Sequence, residues 1–147
     1  MELLIIMKFV EYKHYNYIVL MDEKLNTFIK EDKPIYIYGG SGTGKTYTIK
    51  KYFETNKNIY LIYLSIKDIP NIQYIDTIAK RPIMDIFNNI KRSIIIVIDD
   101  IDVLSIQEKK IINELIKIIK MYKKTKKKME YTLIFSGINH IDKKIKE

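Results

Sequence analysis

The residues able to do chemistry begin with Gly39-Gly40-Ser41-Gly42-Thr43-Gly44-Lys45-Thr46. Gly39, Gly44, Lys45 and Thr46 satisfy the spacing G-x-x-x-x-G-K-[ST], which suits a phosphate group. Backbone N–H groups ring an anion only where no Cβ blocks the approach and positive φ is allowed. A helix expected to begin at Lys45 aims its positive dipole end at the same anion. Lys45, expected to be an exposed functional group outside the core, would set its ammonium on the β- and γ-phosphates of a nucleotide. Thr46 would offer its hydroxyl to Mg²⁺. The candidate nucleotide-binding residues are thus Gly39, Gly40, Ser41, Gly42, Thr43, Gly44, Lys45, Thr46 and Tyr47. A simple glycine turn before a surface lysine would carry the same letters. It would not need a strand-like run, Ile35 to Tyr38, in front of it and a helical pattern behind it.

A second group stands some fifty residues on, where Ile94-Ile95-Ile96-Val97-Ile98 ends in Asp99-Asp100. A buried strand of this kind carries its terminal carboxylates to the C-terminal edge of a sheet, the edge where the glycine loop also lies. Asp99 is placed to hold Mg²⁺ opposite Thr46, usually through water, and Asp100 to orient an attacking water as general base. A plainer reading makes the two aspartates a polar strand end, with Asp102 capping the next helix. Asn139 follows a fourth strand, where its amide could reach a γ-phosphate or the attacking water from across the sheet; turn asparagines are also common there. Lys45, Asp100 and Asn139 are the candidate catalytic residues, and Thr46 and Asp99 the candidate metal ligands. His140 reads as a surface turn residue.

These groups need an alternating scaffold to hold them. Residues 1–20 fit a buried strand or a helix equally well, Leu3 to Ile6 being continuously apolar. Asp22 looks like the cap of a helix with Leu25, Phe28 and Ile29 on its apolar face, running to about Lys30 before Pro34. Strands are expected at Ile35 to Tyr38, Ile59 to Ser65, Ser93 to Ile98 and Tyr131 to Ser136. Ile59 to Ser65 is apolar on both faces, as an internal parallel strand would be. Helices are expected from Lys45 to about Thr55 (burying Ile49, Tyr52 and Phe53), over residues 71–80 and 83–91, and from Ile106 to about Lys124. In the last of these Ile111, Leu115, Ile118 and Tyr122 form a stripe flanked by Ile112, Ile116 and Ile119. Strands alternating with helices give an α/β fold on a mainly parallel sheet.

Composition agrees. At 147 residues with 47% hydrophobic content, the chain reads as one domain with a real core. Its wealth of Ile, Lys, Asn and Tyr reflects an AT-rich genome more than a function. It has no cysteine, which excludes disulfides and thiol chemistry. No apolar run is long enough to span a membrane: Leu3 to Val10 is short, is interrupted by Lys8, and lacks the marks of a secretory signal. The expectation is a soluble intracellular protein of cytoplasm or nucleus, with a viral origin also open. The formal charge of +8 permits contact with nucleic acid without establishing it.

Taken together, Gly39 to Thr46, Ile94 to Asp102 and Thr132 to Asp142 resemble Walker A, Walker B and sensor 1 of the AAA+ ATPases. The resemblance covers about residues 15–145 and is nearest to replication initiators of the origin-recognition type and to clamp loaders. It implies a three-layer P-loop NTPase core with ATP and Mg²⁺ as cofactors. Lys45 and Thr46 would bind phosphate and metal, Asp99 would be the metal acid, Asp100 would take the catalytic acid's place, and Asn139 would be sensor 1. The family's adenine pocket would begin near Tyr15 to Val19. Two departures stand out. Gly40 and Ser41 replace two frequent prolines, and Asp100 replaces the usual glutamate, one methylene longer. The sequence stops at Glu147, before the family's arginine finger, fifth strand, helical lid and second sensor, which implies a core without the lid and weak hydrolysis alone. By the same likeness the partners are other protein subunits or copies of itself.

Lys123-Lys124-Thr125-Lys126-Lys127-Lys128 could grip a DNA backbone without sequence preference, or be a solvated helix end whose lysines suit the dipole. An assembly subunit that binds ATP without turning it over is the rival to an ATPase acting in replication or helicase loading. A small P-loop kinase would need a cluster of lid arginines, and the chain has only Arg81 and Arg92. The family's sheet order, 5-1-4-3-2, leaves one side of Ile35 to Tyr38 without a partner here. Residues 3–10 are expected to fill it as a strand.

Overall fold

The computed structural model describes residues 5–8, 25–27, 29–30, 34–80, 92–102, 104–125 and 129–138. It contains five strands: β1 (Ile5–Lys8), β2 (Ile35–Tyr38), β3 (Ile59–Ser65), β4 (Ser93–Asp99) and β5 (Tyr131–Gly137). Three helices lie between them: α1 (Lys45–Glu54), α2 (Ile72–Lys80) and α3 (Ile106–Thr125), with a short 3₁₀ turn at Ile66–Asp68. Residues 25–27 and 29–30 are also helical, in keeping with the helix expected there. The proposed cap Asp22, Phe28, the helix expected over 83–91, and Asn139 and His140 lie outside the described residues.

The sheet has the order β1-β2-β5-β4-β3, and every pairing is parallel. Parallel strands buried on both faces read as unbroken apolar runs, as these do. Alternate residues serve opposite faces. Tyr36, Ile94, Ile96, Ile98, Leu133 and Phe135 pack with Ile75, Ala79, Ile111, Leu115 and Ile119 from α2 and α3. Ile35, Ile37, Ile95, Val97 and Ile134 pack with Leu25 and with Ile49 and Phe53 from α1. The molecule is thus a three-layer α/β sandwich with a parallel sheet at its centre, as the sequence implied.

The N-terminal strand is present. Ile5 to Lys8 pair in register with Ile35 to Tyr38, on the side of β2 away from β5. It extends the order beside β2 with a strand taken from the start of the chain.

Two expectations need correction. β3 is an edge strand, as the family's order 5-1-4-3-2 implied, and not the internal strand that its apolar faces suggested: among the described residues it pairs only with β4, and its side chains are mostly half-buried. Its apolar character comes from the helices covering its two faces. The buried stripe of α3 is Ile111, Ile112, Leu115 and Ile119; Ile118 and Tyr122 are only half-buried. The helix is rotated so that positions 112 and 119, expected as flanks, meet the sheet.

Among the described residues no helix is long and apolar enough to cross a membrane.

Candidate functional site

The carboxyl ends of β2, β4 and β5 meet the start of α1 in one place. β2 runs into residues 39–44, and the loop is pinned beneath by the Gly39 N–H donating to the Gly137 carbonyl at 3.2 Å. Gly42 and Gly44 have φ of 74° and 90°, left-handed values that glycine takes without strain. Gly44 is also the N-cap of α1, so no side chain caps that helix, and its first turn carries no acidic residue. An uncapped N-terminus of this kind presents free N–H donors and the positive end of the dipole.

Lys45 folds over the loop. Its Nζ donates to the carbonyls of Gly39 at 2.7 Å and Gly40 at 2.9 Å. The Thr43 hydroxyl donates to the Gly40 carbonyl at 2.9 Å. Lys45 is only 9% exposed, which corrects the expectation of an exposed group. The loop carbonyls of Gly39 and Gly40 are the partners of the ammonium. Tyr47 lies on the outer side of α1, 64% exposed, with Lys51 Nζ 5.6 Å from its ring centroid.

Opposite the loop, β4 delivers Asp99. The Thr46 hydroxyl donates to Asp99 Oδ2 at 3.2 Å. The two residues named as metal ligands from sequence are therefore in contact, fifty-three positions apart in the chain. Asp99 Oδ1 accepts from the backbone N–H of Asp100 at 2.9 Å. Asp100 itself adopts φ 62°, a left-handed conformation that aspartate tolerates better than most residues. Its carboxylate is exposed and accepts from the Ser65 hydroxyl at 3.4 Å, on the β3 side of the site.

One residue at this edge was not singled out by sequence reasoning, and another was considered only as a helix cap. Tyr63, on β3, donates its hydroxyl to Asp99 Oδ2 and lies 3.2 Å from Thr46 Oγ1. Burial, reinforced by the bond to Asp99, pushes its ionisation above the usual tyrosine range, so the hydroxyl keeps its proton. Asp102 is the other. It is not the cap of α3: Ser105 is, its hydroxyl accepting from the Glu108 N–H at 3.3 Å while Glu108 Oε2 accepts from the Ser105 N–H at 2.6 Å, a capping box. Asp102 Oδ2 instead accepts from the Ile138 N–H at 2.5 Å and so braces the tip of β5. The brace requires a glycine beside it, because a Cβ on Gly137 would stand 2.5 Å from the Tyr36 hydroxyl and 3.0 Å from Asp102 Oδ1. Burial, and then the Asp102 charge, keep Tyr36 protonated as well. The position after Ile138 is that of Asn139.

A glycine loop joined to an uncapped helix, a cationic side chain across the loop, and a hydroxyl–carboxylate pair beside it lie together, groups of the kinds that suit an anion and a hard cation. With a central parallel sheet in three layers, this defines a P-loop NTPase core. Residues 35–146 match the family described as ATPase family associated with various cellular activities (AAA), and the chain belongs to that family. Over 112 residues it is also 29% identical to origin recognition complex subunit 5 of Saccharomyces cerevisiae, across 73% of this chain. The chain spans 22% of the length of that relative.

Proposed function

We propose that this chain is an ATP-binding core that uses the loop from Gly39 to Thr46, and that it acts in a replication assembly with weak hydrolysis of its own. The observation that carries the reading is the convergence of Lys45, the free end of α1 and the Thr46–Asp99 pair on one loop. A triphosphate suits this arrangement. Backbone N–H groups of the loop and α1 would ring the phosphates, and Lys45 would exchange its bonds to Gly39 and Gly40 for phosphate oxygens. Tyr47 follows Thr46 in the first turn of α1 and would present its N–H on the same side. Mg²⁺ fits the same edge, since a hydroxyl and a carboxylate are oxygen ligands of the hardness it prefers. Thr46 and Asp99 would hold it, and it would neutralise charge on the phosphates.

Hydrolysis would add Asp100 as general base for water and Asn139 as the amide that senses the γ-phosphate. It would also need a cation to neutralise the transition state, worth on the order of 10³–10⁵ in rate in related NTPases. Among the described residues the only arginine is Arg92, just before β4. It stands about 20 Å from Asp99, at the opposite end of a seven-residue strand. That distance favours a cation supplied by another subunit. The likeness to an origin recognition complex subunit supports a replication assembly as the setting. The lysines at the end of α3 would add contact with a DNA backbone. A second reading, an ATP-dependent assembly subunit without turnover, is favoured by the Asp100 carboxylate turning to Ser65.

Turnover separates the two. The purified chain is expected to bind ATP and to hydrolyse it below about one per minute, with acceleration of at least about tenfold on adding a cognate subunit and DNA. Asp100→Asn should remove the accelerated rate and leave ATP affinity within about twofold. Fast hydrolysis by a verified monomer would contradict the need for a partner, and no acceleration in an ATP-bound complex would favour the subunit without turnover.

A further inference from the structure

Tyr63 lies where a metal ion would have to enter, provided that Thr46 and Asp99 are the metal ligands of the proposed nucleotide site. β3 places Tyr63 in register with Val97, two residues before Asp99 on the neighbouring strand, and on the α1 face of the sheet. From there the phenol spans to the edge of the site. Its hydroxyl hydrogen-bonds to Asp99 Oδ2 and lies 3.2 Å from Thr46 Oγ1, and those two oxygens are themselves 3.2 Å apart. Three oxygens thus form a closed triangle. The ring is held from the α1 side by Lys50, one turn after Thr46, whose Nζ sits 4.7 Å from the ring centroid. This cation over the ring face also favours its position.

Mg²⁺ requires near-octahedral oxygen ligands at about 2.1 Å and gives up its waters reluctantly. An ion taken by Thr46, with one of its waters bonded to Asp99 Oδ2, has to bring that water to the oxygen Tyr63 already uses. A neutral phenol whose O–H is hydrogen-bonded to the carboxylate is a poor substitute ligand. It does satisfy Asp99 in the way a metal-bound water would. Thr46 and Tyr63 together already occupy both lone pairs of Asp99 Oδ2, so a metal-bound water bonded to that oxygen takes the place of the phenol while Thr46 turns its own lone pair to the ion.

We propose that Tyr63 gates the metal: its hydroxyl locks Asp99 and Thr46 together, and Mg²⁺ enters with the nucleotide only as the phenol releases Asp99 Oδ2. The free Mg²⁺ needed for tight nucleotide binding is then set partly by a side chain on β3, and not by the loop and the carboxylate alone.

The test is titration of the full chain with a fluorescent ATP analogue at graded free Mg²⁺, for the natural protein and for Tyr63→Phe, which keeps the ring and removes only the hydroxyl. Each protein's affinity in EDTA serves as its own reference. The half-maximal free Mg²⁺ is expected to fall about tenfold in Tyr63→Phe, the effect of one hydrogen bond to a charged group. An unchanged or higher requirement would overturn the gate and make the hydroxyl a support for the metal. A second measurement uses the natural protein alone, with ¹³C-labelled tyrosine rings. The Tyr63 resonance, identified by its loss in the variant, should move with ATP and Mg²⁺ but not with ATP and EDTA; an unmoved resonance on metal binding also overturns the proposal. If the natural protein binds nucleotide and only the two Mg²⁺ profiles coincide, the gate fails while the nucleotide site stands. If it binds no nucleotide under any condition, both fall.

Discussion

Lys45→Ala is expected to lower affinity for ATP·Mg²⁺ by about two orders of magnitude or more while the chain stays folded. The magnitude follows from removing one ammonium with two charge-assisted contacts to the phosphates, about 3 kcal/mol or more where the site excludes water. The fold should survive because Lys45 lies at the first turn of α1, whereas Ile49 and Phe53 anchor that helix to the sheet at 1% and 2% exposure. The variant also loses the bonds that tie Lys45 to Gly39 and Gly40, so the loop loosens and the melting temperature drops by a few degrees. Fluorescent-nucleotide titration beside circular dichroism reads both effects. Unchanged affinity in a folded variant would remove the phosphate loop from the account.

Deleting residues 1–10 should have the largest effect on stability and solubility. β1 covers one whole side of β2 through the ladder from Ile5–Ile35 to Lys8–Tyr38. β2 is central to the core, with Ile35 and Ile37 at 0% exposure and Tyr36 at 2%. Removing its neighbour leaves a row of N–H and C=O groups unpaired and apolar strand surface open, which templates association with another chain. The loss of this short ladder costs about 2–4 kcal/mol, a large share of the stability of a small domain. The truncated protein is expected to scatter light and elute in the void volume at concentrations where the full chain is dispersed. A truncated chain that stays dispersed and melts at the same temperature would show β1 to be dispensable.

The glycine loop and the strands were readable because each rests on local rules. Gly42 and Gly44 occupy positions of positive φ, and Ile94 to Ile98 is an unbroken apolar run followed by acid because it is buried until it reaches the sheet edge. Asp99 could be placed opposite Thr46 for the same reason. Tyr63 could not, because within Ile-Tyr-Leu-Ile-Tyr-Leu-Ser a tyrosine reads as apolar filling. Only the pairing of β3 with β4 brings its hydroxyl to Asp99. The edge position of β3 was implied by the family's strand order but not by its composition, since helices on both faces make an edge strand as apolar as an inner one. The plainer alternative, Asp102 as a helix cap, does not hold, because Ser105 and Glu108, at capping-box spacing three residues further on, cap α3. The burial of Lys45 comes from its side chain reaching back to the carbonyls of Gly39 and Gly40, which the spacing of the motif does not show.

The central claim is that this loop binds a nucleotide triphosphate with its metal. Isothermal titration of ATP into the natural chain, in Mg²⁺ and again in EDTA, tests it most directly. One saturable site is expected, with a dissociation constant on the order of micromolar in Mg²⁺ and weaker binding in EDTA. Absence of saturable binding in Mg²⁺, by a chain that circular dichroism shows to be folded, would contradict it.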